Sequence, residues 1–93
     1  MIGQAEEKVQ GGKLLRIKVD FNGKINSAHI TGDFFLHPED SIDQLEALVV
    51  GTPVNEEESK IAEKIKSYAK GQEVQMIGID AEAIARVLKA AMR

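Results

Sequence analysis

The clearest pattern in the chain is the alternation of apolar and polar residues within Lys13–Phe21, which is regular from Leu15 onward. The apolar face of this segment consists of Leu15, Ile17, Val19 and Phe21. Alternation with a period of two predicts a strand with one buried face. The Asn22–Gly23 pair that follows predicts a tight hairpin turn, because both residues tolerate a positive φ.

The return strand of this hairpin is predicted over Lys24–Thr31. A two-residue loop gives the following register: Val19 pairs with Asn26, Ile17 with Ala28, and Leu15 with Ile30. In this register Ile25 lies on the face opposite the core, because side chains alternate along a strand. A longer loop with a glycine bulge gives a different pairing, and the sequence leaves both alternatives open.

A first helix is expected near Ser41, because Ser41 and Gln44 have the spacing of a capping box. Pro38 is an alternative first helical residue. The predicted inner face of this helix consists of Ile42, Leu45, Leu48 and Val49. Gly51 and Pro53 are expected to end the helix, since neither residue continues a helix readily.

A second helix is predicted over Glu56–Lys70, with Asn55 as its N-cap and Gly71 at its end. Its apolar stripe consists of Ile61, Ala62, Ile65, Tyr68 and Ala69. A short third strand is predicted over Glu73–Ile79, and Asp80 is expected to cap a final helix. The stripe of the final helix consists of Ile84, Val87, Leu88, Ala91 and Met92.

The residues before the first strand are polar and include the Gly11–Gly12 pair. We therefore expect residues 1–12 to form a flexible lead-in and residues 13–93 to form a single domain. The predicted element order is ββααβα. This order predicts an α+β two-layer sandwich, in which helices cover one face of a small three-stranded sheet.

Composition excludes several classes of protein. The chain has 93 residues and no Cys, so thiolate catalysis, disulfides and cysteine-ligated clusters are excluded. No apolar run reaches the roughly 18 residues that a membrane span needs, and the first residues are too polar for a signal peptide, so a cytoplasmic location is expected. The net charge of −3, with Lys and Arg scattered among acids, argues against nucleic acid as a partner.

Candidate chemistry is sparse. The two histidines are His29, within a strand, and His37, in a turn, and no residue is predicted to orient either of them as a base. A metal site would combine them with nearby acids such as Glu39 and Asp40, but acids after a proline are more simply the start of a helix. The Gly11–Lys13 segment lacks the spacing of a phosphate-binding loop. We therefore predict no catalytic residue, no metal site and no cofactor bound by this chain alone.

The turn Gly32–Phe35 is the most unusual segment. Two adjacent Phe residues cannot both enter a one-sided core without unusual geometry. One Phe is expected to cover the end of the sheet, and the other to form an exposed apolar patch for a partner.

These residues resemble a known family. The run from Gly11 to Gly51 is similar to the accessory, C-terminal domain of lipoate–protein ligases. The shared features are Gly12–Lys13 before a strand, Gly23 with Ile25 in the hairpin, the Gly32–Phe35 turn, Pro38, and Glu46, Leu48 and Gly51 in the helix. With its own Met1 and no catalytic domain, the chain resembles the stand-alone small-subunit form found in some archaea. The fold that the resemblance implies is similar to the SufE/NifU-like fold.

The resemblance also implies a function. The chain is expected to be a non-catalytic accessory subunit that forms a heterodimer with the large catalytic subunit and meets lipoyl-acceptor proteins only indirectly. The complex would use ATP, Mg and lipoate to make lipoyl-AMP. The partner interface implied by the motif consists of Lys13, Gly32, Asp33, Phe34, Phe35 and Pro38. The alternative is a binding module that presents a lipoyl-acceptor protein without taking part in adenylation.

Overall fold

The computed structural model describes residues 1–9, 11 and 13–93. In chain order the elements of these residues are β1 (Ile2–Val9), β2 (Lys13–Phe21), β3 (Ile25–Gly32), β4 (Phe35–His37), α1 (Ser41–Val49), α2 (Glu58–Gly71), β5 (Gln75–Ile77) and α3 (Ala81–Ala91). A three-stranded antiparallel sheet has the order β1-β2-β3, and β4 pairs with β5 in a separate small sheet. The α+β class is confirmed, whereas the order ββββααβα corrects the predicted ββααβα.

The prediction of a flexible lead-in over residues 1–12 is wrong for β1. This strand pairs with β2 along its whole length, from Ile2 opposite Asp20 to Val9 opposite Lys13. Its inner face is not strongly apolar because α3 packs very closely on it: a Cβ added to Gly3 would collide with the backbone carbonyl oxygen of Ala91. Small residues on that face hide the strand from a hydrophobic pattern. Gly12, the other half of the predicted Gly11–Gly12 end, lies outside the described residues.

The hairpin agrees with the second predicted alternative only in its longer loop, because the bulge lies at Asn26 and not at a glycine. Ile17 pairs with Ile30 and Val19 with Ala28, and the register shifts beside Asp20, where Asn26 is skipped. This bulge reverses the alternation, so that Ile25 is fully buried rather than on the outer face. The predicted two-residue register is therefore wrong.

The third strand of the large sheet is β1, and not the predicted segment Glu73–Ile79. Within that segment only Gln75–Ile77 is a strand, and it pairs with Phe35–His37. The predicted strand thus exists in shortened form but belongs to the small sheet. This strand is not part of the large sheet. After it, Gly78, with a φ of +90°, turns the chain towards α3.

The core lies between the large sheet and the helices. Its fully buried large side chains include Leu15, Ile17, Ile25, Leu45, Ile65, Ile84 and Leu88. The predicted stripe of α3 is buried throughout, and the side chain of Asp80 caps α3 by accepting a hydrogen bond of 2.8 Å from the backbone N–H of Ala83. None of the helices in the described residues is long and apolar enough to cross a membrane.

Two other predicted caps are wrong. Ser41 is the first residue of α1 and is buried, and Asp40 occupies the N-cap position without a side-chain hydrogen bond, so there is no capping box. The second helix begins at Glu58, with Glu57 rather than Asn55 at its N-cap position. The chain around Val54 is instead held to the hairpin, because the Val54 N–H donates to the carbonyl of Gly23 at 2.9 Å.

Candidate interaction surface

The small sheet places two apolar side chains side by side on the protein surface. Phe35 in β4 is directly opposite Ile77 in β5, so their side chains share one face. Phe35 is 67% exposed and Ile77 is 49% exposed. The next pair, Leu36 and Met76, faces the core, and Leu36 is buried. The small sheet therefore has an inner apolar face that is covered and an outer apolar pair, Phe35–Ile77, that is not.

A shallow groove of about 330 Å³ runs beside this pair, between the end of β3 and the start of α1. It is lined by Ile30, Thr31, Gly32, Phe34, Phe35, Leu36, Glu39 and Ile42. Five of these eight residues are large and apolar, and Glu39 is the single charged residue in the lining. The groove and the Phe35–Ile77 pair together form the surface that we call the corner.

Gly32 and Asp33 fix the corner to the large sheet. The Asp33 N–H donates to the backbone carbonyl of Leu14 at 3.0 Å. Gly32 has a φ of +153°, and a Cβ at this position would collide with that same carbonyl oxygen. Only glycine allows this close approach, so Gly32 determines where the chain leaves β3 and enters the corner.

Lys13 and Phe34 meet at Gly78. The position that a Gly78 Cβ would occupy is 3.1 Å from Cγ of Lys13 and 3.5 Å from Cβ of Phe34. Phe34 is partly buried against the core, so it is the Phe that covers the end of the sheet, and Phe35 is the exposed one. The aliphatic part of Lys13 thus lies over the link between β5 and α3, close to Phe34.

Pro38 connects the corner to α1. Its carbonyl oxygen accepts a hydrogen bond of 3.0 Å from the Ser41 N–H, at the first residue of the helix. The start of α1 is also tied to α2, because the Tyr68 hydroxyl donates to Oε1 of Gln44 at 2.7 Å. Pro38 therefore positions the helix beside the groove, although its own side chain does not line the groove.

Two carboxylates, Glu7 and Glu82, have lowered pKa values, and both belong to ion pairs outside the corner. The pKa of Glu7 is lowered because the Arg86 side chain, which belongs to α3, hydrogen-bonds to its carboxylate. The pKa of Glu82 is lowered in the same way by Lys66, whose ammonium lies 2.6 Å from the carboxylate. The first pair joins β1 to α3, and the second joins α2 to α3.

The histidines are dispersed on the surface. The His29 side chain is 76% exposed, and its Nδ1 is 4.0 Å from Oε2 of Glu46. That same Glu46 oxygen accepts a hydrogen bond of 2.7 Å from the Ile30 N–H and thereby covers the outer edge of β3. His37 is exposed at the end of β4, opposite Gln75. Among the described residues, no three His, Asp or Glu side chains come together as a metal site would require.

The structure brings together most of the residues singled out from the sequence. Gly32, Phe34 and Phe35 line one groove, and Lys13 lies near Phe34 at Gly78 without lining the groove. Asp33 and Pro38 flank it without lining it. Sequence reasoning missed Ile77 and Gly78, because the strand that contains them was assigned to the large sheet. The sequence does contain a signal for the end of this strand. Gly78 directly follows Ile77 and precedes the Asp80 cap by two residues.

Comparisons with known proteins agree with this arrangement. The chain matches the family model described as bacterial lipoate protein ligase C-terminus over residues 4–88. A curated relative, lipoate-protein ligase A subunit 2 of Thermoplasma acidophilum, is 35% identical over 77 residues, which are 82% of this chain and 77% of the relative.

A solved structure gives the same result for the fold. It is an archaeal bi-partite lipoate protein ligase from Thermoplasma acidophilum, studied with its E2 lipoyl domain. One chain of it superposes on this protein with a TM-score of 0.74 at 32% identity, covering 100% of this chain and 96% of that chain. The match includes β1, which is therefore an integral part of the domain.

Proposed function

This chain belongs to the family of the bacterial lipoate protein ligase C-terminus, and we propose that it is the non-catalytic accessory subunit of a two-part lipoate–protein ligase. In this role it binds the large catalytic subunit and enables ATP-dependent activation of lipoate to lipoyl-AMP. Its relatives support the proposal, because one is a second ligase subunit and the other belongs to a bi-partite ligase.

The observation that carries the proposal is the exposed Phe35–Ile77 pair. Removing an apolar side chain from water stabilises a complex by about 25 cal/mol per Å² of buried apolar surface. Phe35 is 67% exposed on a two-stranded sheet that is anchored to the core by Leu36, so it is presented on a supported surface rather than on a free loop. An aromatic anchor of this kind is typical of the centre of a protein–protein interface.

We propose that this chain does not itself bind Mg–ATP. Among the described residues, no three His, Cys, Asp or Glu side chains come together as a cation site would require, and Gly78, in the loop before α3, is a single glycine rather than part of a glycine-rich loop. We therefore assign ATP, Mg and lipoate to the catalytic subunit. This chain would act on the reaction only through the surface that it places against its partner.

The way in which a docked corner would help follows from the chemistry of adenylation. Lipoate activation brings a carboxylate against the α-phosphate, and two negative groups must be oriented together while water is kept out. An apolar surface at the mouth of the pocket excludes water. The hydrogen bond between Asp33 and Leu14 and the close approach of Gly32 keep that surface in place relative to the core.

The test is to measure lipoate-dependent pyrophosphate release by the separately purified catalytic subunit, with and without this chain. We expect lipoyl-AMP formation to require this chain and to saturate with its concentration. A catalytic subunit that forms lipoyl-AMP equally fast alone would contradict the proposal. A complex that forms without any change in adenylation would contradict the enabling role but not the subunit assignment.

The alternative function, presentation of a lipoyl-acceptor protein, makes a different prediction. Because the solved relative was studied with an E2 lipoyl domain, this alternative has a definite ligand to test. A binding module would bind an acceptor domain directly, without ATP and without the catalytic subunit. Direct binding in calorimetry, together with unchanged adenylation, would favour it over the accessory role.

A further inference from the structure

We infer that the groove of the corner receives a large apolar side chain from a basic segment of the catalytic subunit, whose Lys or Arg residues face Glu39. The inference rests on the proposed function and specifies the chemistry of the partner. Three observations carry it: the size of the groove, its apolar lining, and the charges around it.

The groove is large enough for an aromatic or long aliphatic side chain. Its volume is about 330 Å³, whereas an enclosed cavity of about 150 Å³ already accommodates benzene. Its lining offers Ile30, Leu36 and Ile42 as an apolar floor, and Phe35 rises beside it. The floor of the groove offers a polar side chain no hydrogen-bond partner, and the polar side chains of the lining are only Thr31 and Glu39, so an apolar side chain fits best.

Apart from the two histidines, the titratable residues that line the groove or adjoin a lining residue in sequence are all acids, and Lys13 lies on the other side, near Gly78 and Phe34. Glu39 lines the groove, and Asp33, Asp40 and Asp43 each adjoin a residue that lines it. All four side chains belong to exposed residues. Within the part of the chain that the structure describes, none of these four acids takes part in an ion pair.

Some acids elsewhere in the described residues take part in ion pairs within the fold, and six others do not: Glu56, Glu57, Glu58, Glu63, Glu73 and Asp80. Glu6 is paired with Arg16, Glu7 with Arg86, and Glu82 with Lys66. Each of these pairs joins two elements of the fold. The acids around the groove differ from the other unpaired acids in their position beside an apolar surface, where Lys or Arg residues of a partner are the complementary group. Complementary charges at the rim of an interface fix its orientation and speed association.

The experiment measures the Kd of this chain for its catalytic subunit by calorimetry at low and high NaCl. We expect Glu39→Lys to raise the Kd about tenfold at low salt and Glu39→Gln to raise it about threefold, because the reversal adds repulsion to the lost attraction. Glu63→Lys is the matched control, since it makes the same charge change at an exposed residue of α2 outside the groove. It should leave the Kd within about twofold.

Salt provides a second readout. The wild-type complex should weaken as NaCl rises, and the difference between wild type and Glu39→Lys should shrink, because screening reduces interactions between exposed charges. Thermal unfolding of each free variant shows whether the fold is intact.

Three results would overturn the inference. If the wild-type complex forms and adenylation is activated, but Glu39→Lys binds as tightly as Glu63→Lys, the basic segment is excluded while the proposed function stands. If the free chain sediments as a dimer that Phe35→Ser dissociates, a second copy of this chain occupies the groove. If wild type neither binds nor activates the catalytic subunit, the proposed function fails as well.

Discussion

The layer formed by β1, β2 and α3 and the corner around Phe35 use apolar residues in opposite ways. In the layer, every apolar position of the α3 stripe is buried against the sheet. In the corner, Phe35 and Ile77 are held side by side and left 67% and 49% exposed. The first region buries its apolar side chains within the fold, whereas the second leaves an apolar pair in contact with water. Under the proposed function, stability and partner binding are therefore located in different parts of a chain of 93 residues.

The layer should therefore determine stability. Ile84→Ala removes a fully buried side chain of α3 and should lower the free energy of unfolding by about 2–5 kcal/mol, because the cavity left behind collapses only partly. Urea denaturation of the free chain measures this loss. Phe35→Ala is the control from the corner, and it should change the free energy of unfolding by less than about 0.5 kcal/mol. Equal losses in the two variants would remove the distinction between the regions.

Gly32 connects the two regions, so its replacement should affect both stability and partner binding. Gly32→Ala places a Cβ against the Leu14 carbonyl oxygen, so either the corner moves or the Asp33–Leu14 hydrogen bond lengthens. We expect a loss of about 1–3 kcal/mol in urea denaturation, together with weaker binding to the catalytic subunit. Gly11→Ala is a suitable control, because it also has a positive φ but no atom lies near its Cβ position. A Gly32→Ala variant with normal binding would show that the corner does not depend on the close approach of Gly32 to Leu14.

The cap of α3 tests the layer more gently. Asp80→Ala removes the acceptor of the Ala83 N–H and should cost about 1 kcal/mol, a typical value for a lost N-cap. Asp80→Asn should retain most of that energy, since an amide oxygen also accepts the hydrogen bond. Thermal unfolding of the two variants measures the difference, and partner binding should be unchanged in both. An alanine variant as stable as wild type would contradict the role of this cap.

The Glu7–Arg86 pair should give a small effect that depends on pH. The folded state lowers the pKa of Glu7 below 4.5 through the Arg86 hydrogen bond, so the pair stabilises the fold above the unfolded pKa and loses that effect as pH falls through the lowered pKa. Because both side chains are partly exposed, we expect less than about 1 kcal/mol. Urea denaturation of wild type and Glu7→Gln should differ at pH 7 and converge as the pH falls through the lowered pKa of Glu7. A constant difference across this range would contradict the assignment.

The sequence predicts the strongly periodic elements well. The alternation of β2, the α3 stripe and the Asp80 cap are all found as predicted, because each pattern arises from one face that is buried along the whole element. In the Gly32–Phe35 turn, which the sequence marks as unusual, Gly32 has a positive φ and Phe35 is exposed. A periodic pattern shows which face of a single element is buried, and each of these elements has one face that is buried along its length.

The missed features depend on contacts between distant residues. The inner face of β1 carries Gly3 and Ala5 because α3 lies so close, and small residues there give no hydrophobic signal. The hairpin bulge is fixed by the burial of Ile25, whose N–H donates to the Thr52 carbonyl at 2.9 Å. Ile77 becomes part of the corner only through its pairing with Phe35. None of these three contacts can be inferred from the spacing of residues along the chain.

Titration of the catalytic subunit with Phe35→Ser, while lipoyl-AMP formation is followed, separates the two regions most directly. Ile2→Ser is the matched control, because Ile2 is also a large exposed apolar residue, at 62%, but lies on β1. We expect Phe35→Ser to require at least about tenfold more protein for half-maximal adenylation, while its free energy of unfolding and the behaviour of Ile2→Ser match wild type. Equal titration curves for Phe35→Ser and Ile2→Ser would show that the corner is not where this protein meets its partner.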